Sequence, residues 1–402
     1  MNKPGNWNVA MLMAAQACFS ATSMTFIAFA GLAGSIIAPD RSLATLPISL
    51  SMVVVAISTA PISMMMQRYG RRRVFLAATV AGIGGALMAA AGVYYQNFFL
   101  FCAATLLIGP YQASAAYYRF AAGESVAEAQ APRAISLVLI GGMFAALLTP
   151  AGNEFFNALF LPHTFMGAFV FSASIAVLAL GPLMLVRKIG QQGDESTSAE
   201  SDMPERPLSE IVRQPAFATA VVNGALGYAM MVFVMTATPI AMVEFCGFAS
   251  STSTQVISAH VIAMFLPGLF TGSLIMRFGL LPVLLTGQAM FAVAFLTALS
   301  GIALANFSIA LIALGIGWNF CFVGGSTLLT RLHRPSEKGR VQGLNEMLVF
   351  GSSALASLAA GVILRYFGWE VVNQAAFVML AIATSITIYW SLRYKTERVS
   401  AS

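Results

Sequence analysis

Long apolar stretches separated by short polar turns recur along this chain of 402 residues, and they constrain its fold more than any other feature. About 20 consecutive apolar residues are enough for one helix to cross a bilayer. The stretches do not resemble the alternating, roughly 10-residue strands of an outer-membrane barrel, which leaves helices as the spanning structure. Only 9% of the residues are charged, whereas a soluble globular protein has about 25%. The sequence therefore predicts an all-α integral membrane protein.

The apolar stretches predict twelve transmembrane helices, TM1 to TM12. TM1 follows Lys3 and continues to about Ile37, which is too long for the roughly 7–15-residue core of a signal peptide. The other spans of the first half are predicted at residues 43–66, 74–94, 98–122, 134–156 and 164–186. Those of the second half are predicted at 216–243, 253–276, 281–304, 307–330, 342–364 and 371–392.

One polar segment divides the chain between TM6 and TM7. Residues 190–207 are rich in Ser, Glu and Asp, a composition that cannot bury a core and that favours a flexible linker over a regulatory site. We therefore predict an N-terminal six-helix bundle (1–189), a cytoplasmic linker (190–213) and a C-terminal six-helix bundle (214–402).

The distribution of basic residues predicts the orientation. With a cytoplasmic N-terminus, all of the 21 lysines and arginines except Arg41 and Arg365 lie on the cytoplasmic side, as the positive-inside rule requires. This asymmetry explains the net charge of +6 without a nucleic-acid partner. The four cysteines lie in or beside apolar stretches without the spacing of a metal site or a disulfide framework.

The two halves resemble each other. Arg68-Tyr69-Gly70 follows TM2, and Arg277-Phe278-Gly279 follows TM8, 209 positions later. Arg119 at the end of TM4 and Arg331 at the end of TM10 are 212 positions apart. Two landmarks at nearly one offset predict a tandem repeat of six-helix units, with a substrate path between the halves.

The loop after TM2 carries a family resemblance. Gln67-Arg68-Tyr69-Gly70-Arg71-Arg72 resembles the cytoplasmic signature loop of the major facilitator superfamily, roughly G-x-x-x-D-R-x-G-R-R, and Gly272 to Gly279 is a diverged second copy. The resemblance implies two pseudo-symmetric six-helix bundles and secondary active transport by alternating access. It also implies a cytoplasmic gate formed by Gln67, Arg68, Gly70, Arg71, Arg72, Arg119, Arg133, Arg277, Arg331 and Arg340.

The loop departs from the family pattern at two positions. Gln67 replaces the usual acid, and Ser63 replaces the leading glycine. In the family, that acid helps to latch the two bundles through charge pairs and a neighbouring helix end. We therefore expect a latch without its full negative charge.

Polar residues on the helices that line the cavity in this family are the candidate substrate ligands. Aromatic and amide side chains favour a neutral, planar or amphipathic organic solute, and hydrogen bonding between helices is the rival explanation for each of them. The candidates are Gln16, Tyr111, Gln112, Tyr117, Tyr118, Asn223, Tyr228, His260, Trp318 and Asn319.

Two ionisable residues within predicted spans are candidates for proton coupling. His260 lies near the middle of TM8, and an imidazole titrates near physiological pH, although a packing role is the alternative. Glu346 lies in the cytoplasmic half of TM11, where it can carry a proton or pair with Arg340 or Arg119 as part of the gate.

These features predict a secondary transporter of a small organic solute in the bacterial inner membrane, acting as a monomer with cytoplasmic termini. The direction of transport and coupling to protons are left open, and a multidrug efflux antiporter is the alternative. A sensor or a membrane enzyme is disfavoured because the three histidines are far apart in sequence. We expect no cofactor and no metal, and the partners are the small-molecule substrate, protons and the lipid bilayer.

Overall fold

A computed structural model of the chain describes residues 4–40, 43, 46–163, 165–187, 189 and 205–400. Most of the predicted linker, residues 190–204, lies outside the described residues, as do the basic residues Lys3, Arg41 and Lys188. The side chains of Glu244, Lys395 and Arg398 are also outside the description.

The described residues of the first half form the six predicted spans. Two of the spans are interrupted: TM4 breaks after Ala115, and TM5 breaks at Ile140. The bounds are Pro4–Ile37 for TM1, Leu46–Tyr69 for TM2, Arg71–Tyr94 for TM3, Phe98–Ala115 and Tyr118–Gly123 for TM4, Ala131–Leu139 and Gly141–Leu159 for TM5, and Met166–Leu185 for TM6.

The second half repeats this order with more irregular helices. TM7 contains the helices Pro215–Val221 and Gly227–Ile240, with π-helical turns at Val222–Leu226 and Ala241–Phe245. TM8 is Ser250–Phe265 and Thr271–Phe278, TM9 is Leu280–Leu299, and TM10 is Leu304–Thr330. TM11 and TM12 run from Lys338 to Ser400 and are separated by a kink at Gly368, whose φ is 82°.

The twelve-helix prediction is confirmed. Within the described residues, 10 helices are long and apolar enough to cross a membrane, and the bent TM8 pair makes up to 11. The span Lys338–Arg393 contains two helices joined at Gly368, which gives TM11 and TM12. No strand occurs in the part of the chain that the structure describes.

Two glycines mark equivalent turns in the two halves. Gly70 separates TM2 from TM3 with a φ of 86°, and Gly279 separates TM8 from TM9 with a φ of 87°. Glycine adopts this positive φ without the steric cost that a Cβ atom brings. The shared motif of the two halves therefore has one backbone conformation.

Contacts along the chain define two compact units. Unit 1 contains Met1–Glu128, Leu137–Ser198 and Lys338–Met347. Unit 2 contains Ala129–Ser136, Ala199–Glu337 and Leu348–Ser402. TM5 and TM11 therefore each begin in one unit and continue in the other, and the predicted boundaries at 189 and 214 stay a prediction.

TM8 is broken between its two helical segments, which are bent by 46°. Pro267 and Gly268 lie in the intervening 3-10 turn, where proline cannot donate a backbone hydrogen bond. Asn319 of TM10 donates to the carbonyl of Met264 over 2.7 Å, and its Oδ1 accepts from the Thr271 hydroxyl over 2.7 Å. Asn319 thereby pairs with groups on both sides of the break, and none of its surface is exposed.

We predict that Asn319→Leu destabilises the protein. The substitution leaves the Met264 carbonyl without its side-chain donor, and an unpaired buried polar group costs roughly 1–3 kcal/mol. The measurement is the midpoint of thermal unfolding in detergent. Asn6→Leu is the matched control, because Asn6 is exposed near the start of TM1. Equal shifts for the two variants would contradict this role.

Candidate substrate site and gate

A charged cluster formed by Arg71, Glu124, Lys338 and Gln342 lies within unit 1. Arg71 is the first residue of TM3, and its guanidinium binds the Glu124 carboxylate through Nε at 2.8 Å and Nη2 at 2.5 Å. The same Nη2 donates to Gln342 Oε1 over 2.8 Å, and Lys338 Nζ lies 3.3 Å from Glu124. Bidentate arginine–carboxylate pairs are strong and directional. The cluster therefore fixes the first turn of TM11 to TM3 and to the end of TM4.

Gln67 makes the contact that the family assigns to an acid. Its Oε1 accepts the backbone N–H of Gly339 over 3.1 Å, at the start of TM11. A Cβ atom on Gly339 would lie 2.1 Å from that oxygen, so glycine is what allows the approach. The first N–H groups of a helix lack partners within the helix. A neutral amide thus satisfies the helix end here, and the negative charge of the neighbouring cluster comes from Glu124.

A second ion pair lies deeper, between Arg119 of TM4 and Glu346 of TM11. The two charged groups are 2.5 Å apart, and their side chains are 4% and 0% exposed. Arg119 Nη1 also donates to the carbonyl of Ala116 over 2.6 Å, at the break in TM4. Asn345 donates to the same Glu346 oxygen over 2.7 Å. Removing either charge from such a pair leaves the other one buried without compensation.

In unit 2, the start of TM5 is in close backbone contact with TM8. The Ser136 hydroxyl at the start of TM5 donates to the carbonyl of Gly268 in the TM8 break. A Cβ atom on Gly272 would lie 2.4 Å from the Cα of Arg133, so the two helices cross at a glycine.

The remaining predicted gate arginines are exposed at the surface: Arg68, Arg72, Arg133, Arg277, Arg331 and Arg340.

Arg206 anchors the described end of the predicted linker. Its guanidinium binds the Glu337 carboxylate in the TM10–TM11 loop, with Nη2 2.7 Å from Oε2. Hydrogen bonds from Arg206 hold the pKa of Glu337 at about 2. The carboxylate is therefore charged at neutral pH.

Two of the five substrate candidates in the first half line a cavity inside unit 1. Tyr111 and Gln112 border a narrow cavity of about 10 Å³, which is room for a single water molecule, together with Thr22, Ser23 and Ser172. All five of these polar side chains are uncharged. Apolar side chains complete the lining: Phe26, Ile108, Phe169, Ala86 and Ala176, beside Gly82.

The other three candidates of the first half make contacts with neighbouring side chains or helices. Gln16 donates to Ser20 of the same helix over 3.2 Å. Tyr117 donates to the Thr59 carbonyl of TM2 over 2.8 Å. Tyr118 packs edge-on against Phe75 of TM3 with ring centroids 4.8 Å apart. Both tyrosines are fully buried.

The second-half candidates divide in the same way. Asn223 of TM7 joins a buried network, accepting from Gln288 of TM9 over 3.0 Å and donating to Thr387 of TM12 over 2.9 Å. His260 Nδ1 lies 2.7 Å from the Leu311 carbonyl of TM10, and the residue is fully buried. Asn319 holds the TM8 break. Tyr228 and Trp318 remain, and they meet in one group.

That group is an aromatic cluster of Tyr228, Phe265, Trp318, Phe322 and Phe350. Trp318 and Phe322 lie one turn apart on TM10 and stack with centroids 4.9 Å apart and planes 17° apart. The Tyr228 ring stands edge-on to both, at 5.6 Å and 5.5 Å. Phe265 contacts Trp318 at 5.9 Å, and Phe350 of TM11 contacts Tyr228 at 6.3 Å. Side chains from TM7, TM8, TM10 and TM11 thus form one aromatic surface within unit 2.

A family model described as Major Facilitator Superfamily matches residues 12–248 and 224–402 of this chain. The chain belongs to the major facilitator superfamily. It is therefore a membrane transporter and not an enzyme, and the predicted family resemblance is confirmed.

Relatives within the superfamily cover nearly the whole chain. Riboflavin transporter RfnT of Brucella anthropi is 37% identical over 394 residues, which are 98% of this chain and 97% of the relative. The uncharacterized MFS-type transporter YddS of Bacillus subtilis is 25% identical over 382 residues, which are 90% of this chain and 87% of the relative.

Solved structures share the fold at low sequence identity. A bacterial homologue of the iron transporter ferroportin, in an outward-facing state, matches with a TM-score of 0.74 and 13% identity, over 97% of this chain and 100% of the other. The human organic anion transporter MFSD10 matches with a TM-score of 0.73 and 13% identity, over 96% and 100%. At this identity the likeness supports the superfamily fold alone.

Several residues of the site were not predicted from the sequence. Glu124, Lys338 and Gln342 complete the charged cluster, and Phe322 and Phe350 complete the aromatic cluster. Glu124 lies only five positions after Arg119 in a mostly apolar chain, and an acidic residue so close to a predicted gate arginine was a usable signal. The phenylalanines carried none, because the chain contains 30 of them.

We predict that Gln67→Leu loosens the first turn of TM11 and that Gln67→Glu tightens it. Leucine removes the acceptor of the Gly339 N–H, and one hydrogen bond is worth about 0.5–1.5 kcal/mol. A charged acceptor strengthens the bond and suits the positive end of the helix dipole. Hydrogen–deuterium exchange of the amides from 338 to 342 should rise roughly 2- to 10-fold in the first variant and fall in the second. Gln255→Leu, at an exposed glutamine of TM8, is the control; unchanged exchange in both Gln67 variants would contradict the contact.

Proposed function

We propose that this protein transports riboflavin across the bacterial inner membrane, with both termini in the cytoplasm and one chain as the working unit. The observation that carries the proposal is the 37% identity to the riboflavin transporter of Brucella anthropi over 98% of this chain. The basic residues concentrated on one side of the predicted spans support the orientation.

The chemistry of the described interior is compatible with that substrate. Riboflavin has a flat tricyclic ring system and an uncharged polyol chain. The polar side chains at the narrow unit 1 cavity are hydroxyls and one amide, which are the neutral donors and acceptors that match a polyol. The aromatic cluster of unit 2 offers ring faces and edges, which suit a flat heterocycle.

We predict that the protein restores growth of a bacterium that can neither synthesise nor import riboflavin. Flux is measured directly with purified protein in liposomes, since riboflavin is itself fluorescent. The expected result is uptake that saturates with riboflavin concentration and exceeds that of empty liposomes. No riboflavin flux, together with export of cationic dyes, would instead favour the multidrug antiporter.

The Arg119–Glu346 pair is, in this proposal, the gate that couples transport to protons. Arg119 and Asn345 both bind Glu346 Oε1, whereas Oε2 has no hydrogen-bond partner among the described residues. A proton on Glu346 would cancel the charge that holds Arg119, and the arginine would then need water or another acid. His260 is the weaker candidate for this role, because its Nδ1 contacts the Leu311 carbonyl in the packing of TM8 on TM10 and, unlike Glu346, it has no ion pair among the described residues.

We predict that Glu346→Gln and Arg119→Gln each lower thermal stability and that the double variant recovers most of the loss. Breaking a buried pair from one side costs about 3–5 kcal/mol, whereas removing both charges costs much less. If Glu346 carries the proton, riboflavin uptake by Glu346→Gln no longer responds to an imposed pH gradient. Glu154→Gln, at an exposed position of TM5, is the control and keeps the wild-type response. A full pH response in Glu346→Gln would rule out the coupling role.

A further inference from the structure

The aromatic cluster contains a polar atom that packing alone does not explain. Trp318 is 3% exposed, and its indole Nε1 has no hydrogen-bond partner among the described residues. Two other tryptophans of the chain do pair this group: Trp369 Nε1 donates to the Ala298 carbonyl over 3.1 Å, and Trp7 Nε1 donates to the Leu185 carbonyl over 3.0 Å. An indole N–H is a donor only, so it requires an acceptor from outside its own ring.

The rings around this N–H differ in how far the protein buries them. Trp318 and Phe322 are buried, and their ring planes are nearly parallel, with 17° between them. Tyr228, Phe265 and Phe350 are only half-buried. These three rings therefore keep surface that the protein does not cover, and a flat ligand can pack against it.

The backbone beside the cluster is also irregular. The π-helical turn Val222–Leu226 of TM7 ends two residues before Tyr228. Such turns are rare, and they occur often at functional sites, where they change the direction of the side chains that follow. The Ser352 hydroxyl of TM11 donates to the Ala225 carbonyl within this turn over 3.2 Å, which ties TM11 to TM7 next to the rings.

We propose that the aromatic cluster binds a flat, uncharged heteroaromatic ring, with the Trp318 indole N–H donating to a carbonyl oxygen on the edge of that ring. The proposal rests on riboflavin transport as the function and assigns the part of the substrate that is recognised here. Riboflavin has two carbonyl oxygens on its pyrimidine-like ring and none on its ribityl chain. The cluster therefore recognises the isoalloxazine ring, and the polyol chain contributes little to binding at this site.

The rival explanation is that the five aromatic residues only fill space between helices. It predicts that removal of the Trp318 N–H has no effect on any ligand. It also predicts that replacing the rings lowers stability without a separate effect on binding. These predictions differ from ours in a measurable way.

The test uses the full-length protein in lipid nanodiscs and follows quenching of riboflavin fluorescence. Trp318→Phe keeps an aromatic ring but deletes the N–H, and we expect a roughly 10-fold weaker Kd, the discrimination of one good hydrogen bond, with no greater loss of stability than Trp369→Phe. Trp369→Phe is the matched control in the same unit, since it deletes an N–H that is already paired. That variant should lower the unfolding temperature and leave the Kd for riboflavin unchanged.

Competition identifies the part of the ligand that is bound. Lumichrome, which carries the ring system without the ribityl chain, should displace riboflavin from the wild type and compete less well in Trp318→Phe. Ribitol should not displace it. Equal riboflavin affinities in the wild type, Trp318→Phe and Phe350→Ala, or displacement by ribitol alone, would overturn the assignment.

The result also separates this inference from the proposed function. Riboflavin transport with no effect of the cluster variants would leave the function standing and place the ring elsewhere. Lumichrome binding that depends on Trp318, without any riboflavin transport, would support the ring site and overturn the proposed substrate.

Discussion

A backbone group that loses its hydrogen bond inside a bilayer finds no water to replace it, and this constraint governs the places where the helices of this protein are broken. At the break in TM8, Asn319 donates to the Met264 carbonyl and the Ser136 hydroxyl donates to the Gly268 carbonyl. The break in TM4 places the Ala116 carbonyl within reach of Arg119. Each break thus recruits a polar side chain from a segment that is distant in sequence or from the next turn.

This arrangement explains which parts of the fold could be predicted from the sequence. Continuous apolar stretches indicated all twelve spans, because length and hydropathy are local properties. The break in TM8 contains Pro267 and Gly268, which are recognisable helix breakers. The break at Ala116 and Tyr117 contains neither residue type. Its Ala116 carbonyl accepts from Arg119, which pairs with the distant Glu346, and the sequence of TM4 alone does not show that partner.

The signature loop also shows that side-chain contacts between residues distant in sequence could not be predicted from the sequence. Its sequence shows that position 67 lacks a negative charge, and it led to the expectation of a weakened latch, which stays a prediction. Gln67 binds the helix end at Gly339 as a neutral acceptor, while Glu124 binds Arg71 and Lys338. Glu124 is 53 positions from Arg71, and only the folded chain brings them together.

The amide and aromatic candidates could not be sorted from the sequence, because an asparagine that binds a solute and one that bridges two helices are the same residue in the same kind of helix. The distinction lies in whether the polar atoms are already paired. Asn223 and Asn319 have their partners within unit 2, whereas the Trp318 indole nitrogen has none among the described residues. Pairing inside a membrane protein is nearly obligatory. An unpaired donor beside half-buried rings is therefore better evidence for a ligand than the residue type itself.

Equivalent helix ends in the two halves of the repeat are held by different kinds of interaction. The start of TM11 is held in unit 1 by charges, through Arg71, Glu124 and the Arg119–Glu346 pair. The start of TM5 is held in unit 2 by a hydroxyl and by the close approach of Gly272 to Arg133. Ion pairs respond to protonation and to the entry of water, whereas glycine crossings respond to neither. The contacts at the start of TM11 therefore depend on charge, whereas those at the start of TM5 do not.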